Sequence, residues 1–125
     1  MYDDISEIRA FYEALQGRQV AARLRPKVTD FWERSAGCCN IAIGFATPFL
    51  RQDDADSVLM PQRQGVVVWP HNQPVRSMLV DPHALPVPDV QTDRLLLVHT
   101  LEFDPDPGRV LDECWRILDG AGRLL

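Results

Sequence analysis

Asp81-Pro-His-Ala-Leu-Pro-Val-Pro-Asp-Val-Gln-Thr-Asp-Arg-Leu-Leu-Leu-Val-His-Thr-Leu-Glu-Phe103 is the stretch whose reading decides the fold. A short apolar run (Met78–Val80) closes on an acidic residue, a proline-spaced loop follows, and a second apolar run (Leu95–Val98) closes on a polar pair. Buried parallel strands read as continuous apolar runs, and ligands of open α/β sheets collect beyond their carboxyl ends. The layout is therefore that of a ligand site, with Asp81 and His99 at the ends of successive apolar runs.

Working outward, Asn40–Gly44 (Asn-Ile-Ala-Ile-Gly) reads as a first strand, followed by a tight turn and a helix start over Phe45–Leu50. Small residues there let a ligand approach the backbone while helix N–H groups point at it. Asp56–Met60 reads as a second strand broken by Pro61, and the irregular segment to Pro74 as a loop with a brief extended piece at Val66–Trp69. Met78–Val80 and Leu95–Val98 are the third and fourth strands. Pro107 opens a helix with Val110, Leu111, Cys114, Trp115 and Leu118 on its apolar face, closing at Gly120, and Arg123–Leu125 starts a fifth strand.

Before the first strand, Asp4 and Glu7 form a capping-box pattern, with Ile5, Ile8, Phe11, Tyr12 and Leu15 at helical spacing up to Gly17. Val20, Leu24, Val28, Phe31 and Trp32 continue the period, interrupted by Pro26, where a kink or break is expected, and Gly37 ends it.

The middle stretch resembles the class I S-adenosylmethionine-dependent methyltransferases of the type 11 kind, whose middle motif runs Asp-Ala-x-x-Leu-Pro-Phe-x-Asp-x-x-Phe-Asp. Asp81, Ala84, Leu85, Pro86, Pro88, Asp89 and Asp93 fall in matching places, with Pro82 for Ala and Thr92 for Phe. Leu101–Pro107 is similar to the family's Leu-Glu-His-x-x-Asp-Pro, and Leu118–Leu125 to its Leu-Lys-Pro-Gly-Gly-x-Leu.

The resemblance implies an α/β fold, a Rossmann-like doubly wound sheet. It is incomplete, with strands 1 to 4 and the start of the fifth, behind N-terminal helices over 1–36 and a cofactor-binding part over 37–125. It implies S-adenosylmethionine as cofactor. Gly44, Phe45, Ala46 and Thr47 would lie against its amino-acid end, Asp81 would accept from the adenine amino group, and the backbone at Pro82 would contact the ring. His99 sits where this fold reaches toward the transferred methyl.

The glycine turn departs from the common Asp-x-Gly-x-Gly-x-Gly at Ala42, Ala46 and Pro48, yet looks like the family's Gly-Tyr-Ala-Thr-Pro-Tyr variant. The second strand ends in Met60-Pro61 instead of the carboxylate expected on the ribose. This leaves Gln62 or Gln64 as ribose partner or as solvated glutamines, at a cost of about 1.5–3 kcal/mol of charge-assisted bonding.

Two readings of His99 stand level: a general base near neutral pH, or a structural histidine at a strand end. Glu102 reads as a helix-opening residue or a second catalytic group. Tyr12 is core or a cover for the cofactor, and Trp69 core or a stacking surface. The 125-residue length suits one domain, and the net charge of −5 argues against a broad nucleic-acid surface, leaving Arg18, Arg23, Arg25 and Lys27 as a solvated helix face. Three cysteines, two adjacent, suggest neither a disulfide framework nor a zinc site, and with no leader or spanning segment the cytoplasm is expected.

An uncovered fourth strand would be an apolar edge, so the chain is expected to be part of a longer methyltransferase acting on an unknown acceptor. The alternative is a non-catalytic, methyltransferase-like interaction subunit, with a second copy or a partner chain covering that edge.

Overall fold

In the computed structural model, which describes residues 5–62, 69–70 and 74–125, a parallel five-stranded sheet runs in the order β3-β2-β1-β4-β5. The strands are β1 (Asn40–Gly44), β2 (Ser57–Pro61), β3 (Ser77–Val80), β4 (Thr92–Val98) and β5 (Leu118–Leu124). The helices are α1 (Ile5–Glu13), α2 (Leu15–Phe31) and α3 (Pro107–Ile117). This is the doubly wound order with its reversal between β1 and β4. The capping residue Asp4, Gln64, the run at 66–68 and His71 lie outside the described residues.

β1 is central and buried along its whole length, so its alternate side chains feed two cores. Ala42 joins Val58, Met60 and Leu96 beneath Ala21, Val28 and Trp32 of the α2 segment. Ile41 and Ile43 join Leu59, Val80 and Leu95 beneath Val110, Cys114 and Ile117 of α3. Helices thus cover both faces, and each face is an apolar layer.

Several expectations need correction. Pro26 does not break α2, which runs through it to Phe31. The carbonyl it strands belongs to Ala22, which is exposed to solvent, and packing of Val28 and Trp32 offsets the local cost of about 3 kcal/mol. Gly17 does not end α1 either. It lies in the first turn of α2, where a Cβ would stand 1.9 Å from the Phe11 carbonyl oxygen, so it permits the tight α1–α2 corner. Leu15 and Leu24, read as apolar-face residues, are exposed.

The expected helix after β1 is only a 3₁₀ turn, Thr47–Phe49. Asp54 closes the remaining loop by accepting the Arg51 N–H, and residues 45–56 cross from β1 to β2 without a crossover helix. β5 begins at Leu118, so Gly120 lies within a strand that bulges against β4 between Thr92 and Arg94. β5 pairs with Arg94 and Leu95, and Leu97 donates to the Leu125 carbonyl at 2.9 Å. The edge expected on the fourth strand is therefore covered by the chain itself.

Candidate functional site

The carboxyl ends of β1 to β4 converge on two cavities. The first, about 290 Å³, is lined by Pro61 at the end of β2 and Gln62 after it, Val80 at the end of β3 and Asp81, Pro82 and His83 after it, and Thr100, Phe103 and Asp104 after β4. Its walls alternate apolar faces (Val80, Pro82, Phe103) with polar groups, the make-up of a small-molecule pocket. Asp81 is exposed at this cavity. Its Oδ1 accepts the His83 N–H at 2.9 Å and the Ala84 N–H bonds its carbonyl at 3.0 Å, so the loop turns back on the aspartate. His83 Nε2 meets Asp104 Oδ1 at 2.6 Å, joining the two loops that flank the cavity.

The loop carrying Asp81 is anchored from α3. Arg116 donates to the carbonyls of Leu85 and Val87 and to Asp89, and Glu113 accepts the Leu85 N–H at 2.7 Å. The Arg116 hydrogen bond holds Glu113 below the ordinary carboxyl range, and Glu113 and then Asp89 raise Arg116 in turn. Sequence reading missed this pair. Its signal is an acidic and a basic residue three apart on α3, opposite a loop whose carbonyls have no strand partners.

Gly44 has φ +95°, and a Cβ there would fall 1.9 Å from the Val98 carbonyl oxygen and 2.4 Å from Thr100 Oγ1. Only glycine fits where the β1 turn crosses the end of β4, and the Phe45 N–H then bonds the Val98 carbonyl at 3.0 Å. Phe45 and Ala46 are buried, and Ala46 lines neither cavity.

Phe45 and Thr47 line the second cavity, about 400 Å³, with Arg9, Tyr12, Glu13 and Trp69. Trp69 is a core residue, buried with Arg76 stacked 4.8 Å from its ring centre. The structure thus brings Asp81 and Pro82 together at one cavity, Phe45 and Thr47 at another, and Gly44, Ala46 and His99 between the strand ends.

His99 has φ +51°, a left-handed conformation that costs a non-glycine residue about 1–3 kcal/mol. Its Nδ1 lies 2.9 Å from Glu102 Oε2 and its Nε2 lies 2.7 Å from the Tyr12 hydroxyl. Tyr12 in turn packs against the rings of Phe45 and Phe49. Glu102 and Tyr12, read singly from the sequence, are thus two ends of one hydrogen-bonded row.

Among the described residues no cluster of His, Cys, Asp or Glu is arranged for a metal, and no helix is long and apolar enough to cross a membrane. The three cysteines are free. Burial pushes Cys114 up to about 11 and raises Cys38 and Cys39, so none is an activated nucleophile.

Solved structures share this architecture. A Thermotoga maritima protein described as an S-adenosylmethionine-dependent methyltransferase superposes with a TM-score of 0.69 at 22% identity, over 96% of this chain and 56% of its own. A Methanococcus maripaludis protein described in the same terms gives 0.66 at 16% identity, over 96% and 60%. The [4+2]-cyclase SpnF gives 0.63 at 26% identity, over 85% and 44%. The chain therefore spans about half the length of these proteins. No curated protein matches it. The model of the methyltransferase domain matches residues 45–125, which start just after Gly44 and hold both strand-end loops and α3. With well over half of its length matched by that model, the chain belongs to the methyltransferase domain family.

Proposed function

We propose that this chain is the cofactor-binding portion of an S-adenosylmethionine-dependent methyltransferase acting in the cytoplasm, where its three free thiols stay reduced. The observation that carries the reading is the first cavity, at the carboxyl ends of β2, β3 and β4 with an exposed aspartate after β3. Its donor set suits an adenosine: apolar walls for the ring, Asp81 for the exocyclic amine, Gln62 for the ribose. Bound there, the cofactor would supply a methyl group on a positively charged sulfur.

The residues of the chain then hold and orient. Arg116 and Glu113 fix the Asp81 loop, and Gly44 lets the β1 turn lie close against β4. Positioning of this kind supplies much of the rate in a transfer that needs little covalent help. The acceptor is a separate small molecule.

Isothermal titration with S-adenosylhomocysteine is the test. The native chain should bind, and Asp81→Ala should weaken binding about tenfold while costing no more than about 1 kcal/mol of stability for the exposed His83 N–H bond it loses. No heat of binding to the native chain would sink the reading.

A second reading, a methyltransferase-like interaction subunit without catalysis, is favoured by one observation: β2 ends in Met60-Pro61, so no carboxylate follows it at the first cavity. The fold also carries other chemistry in a protein such as a cyclase. This reading predicts the same titration to be silent.

A further inference from the structure

The first cavity holds a second carboxylate, that of Asp104 on the loop after β4. Asp104 lines the cavity together with Asp81 and His83, and its side chain is only 8% exposed, whereas Asp81 is open to solvent. Its Oδ1 is taken twice, by His83 Nε2 at 2.6 Å and by the Asp106 N–H at 2.8 Å. A carboxylate only accepts, so His83 carries a proton on Nε2 and holds Asp104 from the opposite loop. The other oxygen, Oδ2, accepts no hydrogen bond among the described residues. No Lys or Arg among those residues lines the cavity, and the Thr100 hydroxyl already donates to the Ile43 carbonyl at 3.3 Å. An acceptor largely withdrawn from water and still unbonded calls for a donor, and the cavity is where a ligand can bring one.

We propose that Asp104, positioned by His83, is a specificity residue of the cofactor cavity: Oδ2 accepts from the exocyclic amine of the purine, beside Asp81, so the cavity takes a 6-amino purine and rejects a 6-oxo one. This rests on the cofactor reading above. The amine carries two N–H donors, and Asp81 can take one of them, which leaves the second for Asp104. A 6-oxo group offers only lone pairs, and it would set them against two carboxylates while leaving Oδ2 unpaired. Charge-assisted bonds are the stronger ones, and a site built to receive a donor discriminates most where the unpaired group is withheld from water. Asp104 meets that condition better than the exposed Asp81 does.

The test is isothermal titration of the full chain with S-adenosylhomocysteine and, in parallel, with S-inosylhomocysteine, which has an oxygen in place of the amine. The native chain should bind the amine form about thirtyfold or more tightly than the oxo form. Asp104→Asn keeps an oxygen for His83 and for the Asp106 N–H, but its amide can donate to a 6-oxo group. It should weaken the amine form about three- to tenfold and leave the oxo form unchanged or tighter. His83→Ala, which frees Asp104, should narrow the preference about threefold, and His83→Gln, which keeps a donor for Asp104, should restore it. Both ligands are read on the same folded fraction, so their ratio is insensitive to a loss of stability, and His83→Ala carries the test if Asp104→Asn does not fold.

Equal affinity of the native chain for the two ligands would overturn the assignment. So would an Asp104→Asn variant that loses both in the same proportion, since Asp104 would then only brace the loops. If S-adenosylhomocysteine binds and the preference survives Asp104→Asn, this inference alone falls. If S-adenosylhomocysteine fails to bind the native chain, the cofactor reading falls and takes this one with it.

Discussion

At the amino ends of the strands, side-chain carboxylates are consumed by the fold; at the carboxyl ends they face cavities. Asp93 accepts the Cys39 N–H and Asp56 the Asn40 N–H, each at 2.7 Å, so both strand-entry amides next to β1 are met by acids. Asn40 itself donates to the carbonyls of Glu33 and Asp54, and Arg94 bridges the Phe31 carbonyl and Glu33. At the opposite end, Asp81 is exposed beside a cavity, and Gly44 and His99 both adopt positive φ. Asp81 also accepts one backbone N–H, from His83, so what differs is its place: its carboxylate stands at a cavity, while those of Asp56 and Asp93 stand on the amides that enter β1.

The comparison breaks most sharply at Gly44. An alanine there would combine a disfavoured φ with a Cβ placed against the Val98 carbonyl, and β1 or β4 would have to move. Gly44→Ala should cost roughly 3 kcal/mol or more by denaturant unfolding and abolish cofactor binding with it. A variant that keeps native stability would show that the carboxyl end is slack, and the reading of a preset site would fail.

At the amino end, Asp54→Ala sharpens the contrast. Asp54 is fully buried, with Oδ1 on Arg34 and Oδ2 on the Arg51 N–H. Arg34 is half-exposed, so most of the loss comes from the loop amide, about 1–3 kcal/mol. Cofactor affinity should stay within about twofold in calorimetry on the folded variant. Loss of affinity beyond what unfolding explains would mean that the two ends are coupled.

How much of this was legible in the sequence follows the same division. Apolar runs mark β1 and β4 because strand burial is a local pattern, Pro107 sets the start of α3, and the run at Met78–Val80 marks β3 although only Val80 of it is buried at the sheet edge. Gly120 was read as a stop because a glycine after a helix usually is one; in the fold it sits in a bulge that only the pairing with β4 defines. Pro26 reads as a kink or a break in the sequence alone because the competing packing of Val28 and Trp32 is long-range. At the site, Asp81 and His99 were legible as strand-end residues. Their partners were not: Tyr12 lies 87 residues from His99 in the chain, and nothing local marks the two as neighbours.

The smallest effect concerns the α3 anchor of the Asp81 loop, where the comparison predicts a pH signature. Glu113 has its pKa lowered in the fold, chiefly by the Arg116 hydrogen bond, so its contribution to stability is present above the ordinary carboxyl value near 4.5 and is lost as pH falls through the folded value. The pair is partly solvated, which keeps the effect below about 1 kcal/mol. Glu113→Gln retains an acceptor for the Leu85 N–H but no charge, so its unfolding free energy should decline less steeply than that of the native chain below pH 4.5. Parallel acid titrations of the two proteins by circular dichroism decide it. Superimposable curves would mean that Arg116 holds the loop through Asp89 and the Leu85 and Val87 carbonyls without the Glu113 charge, and that the carboxyl-end site, unlike the amino end, does not depend on that carboxylate.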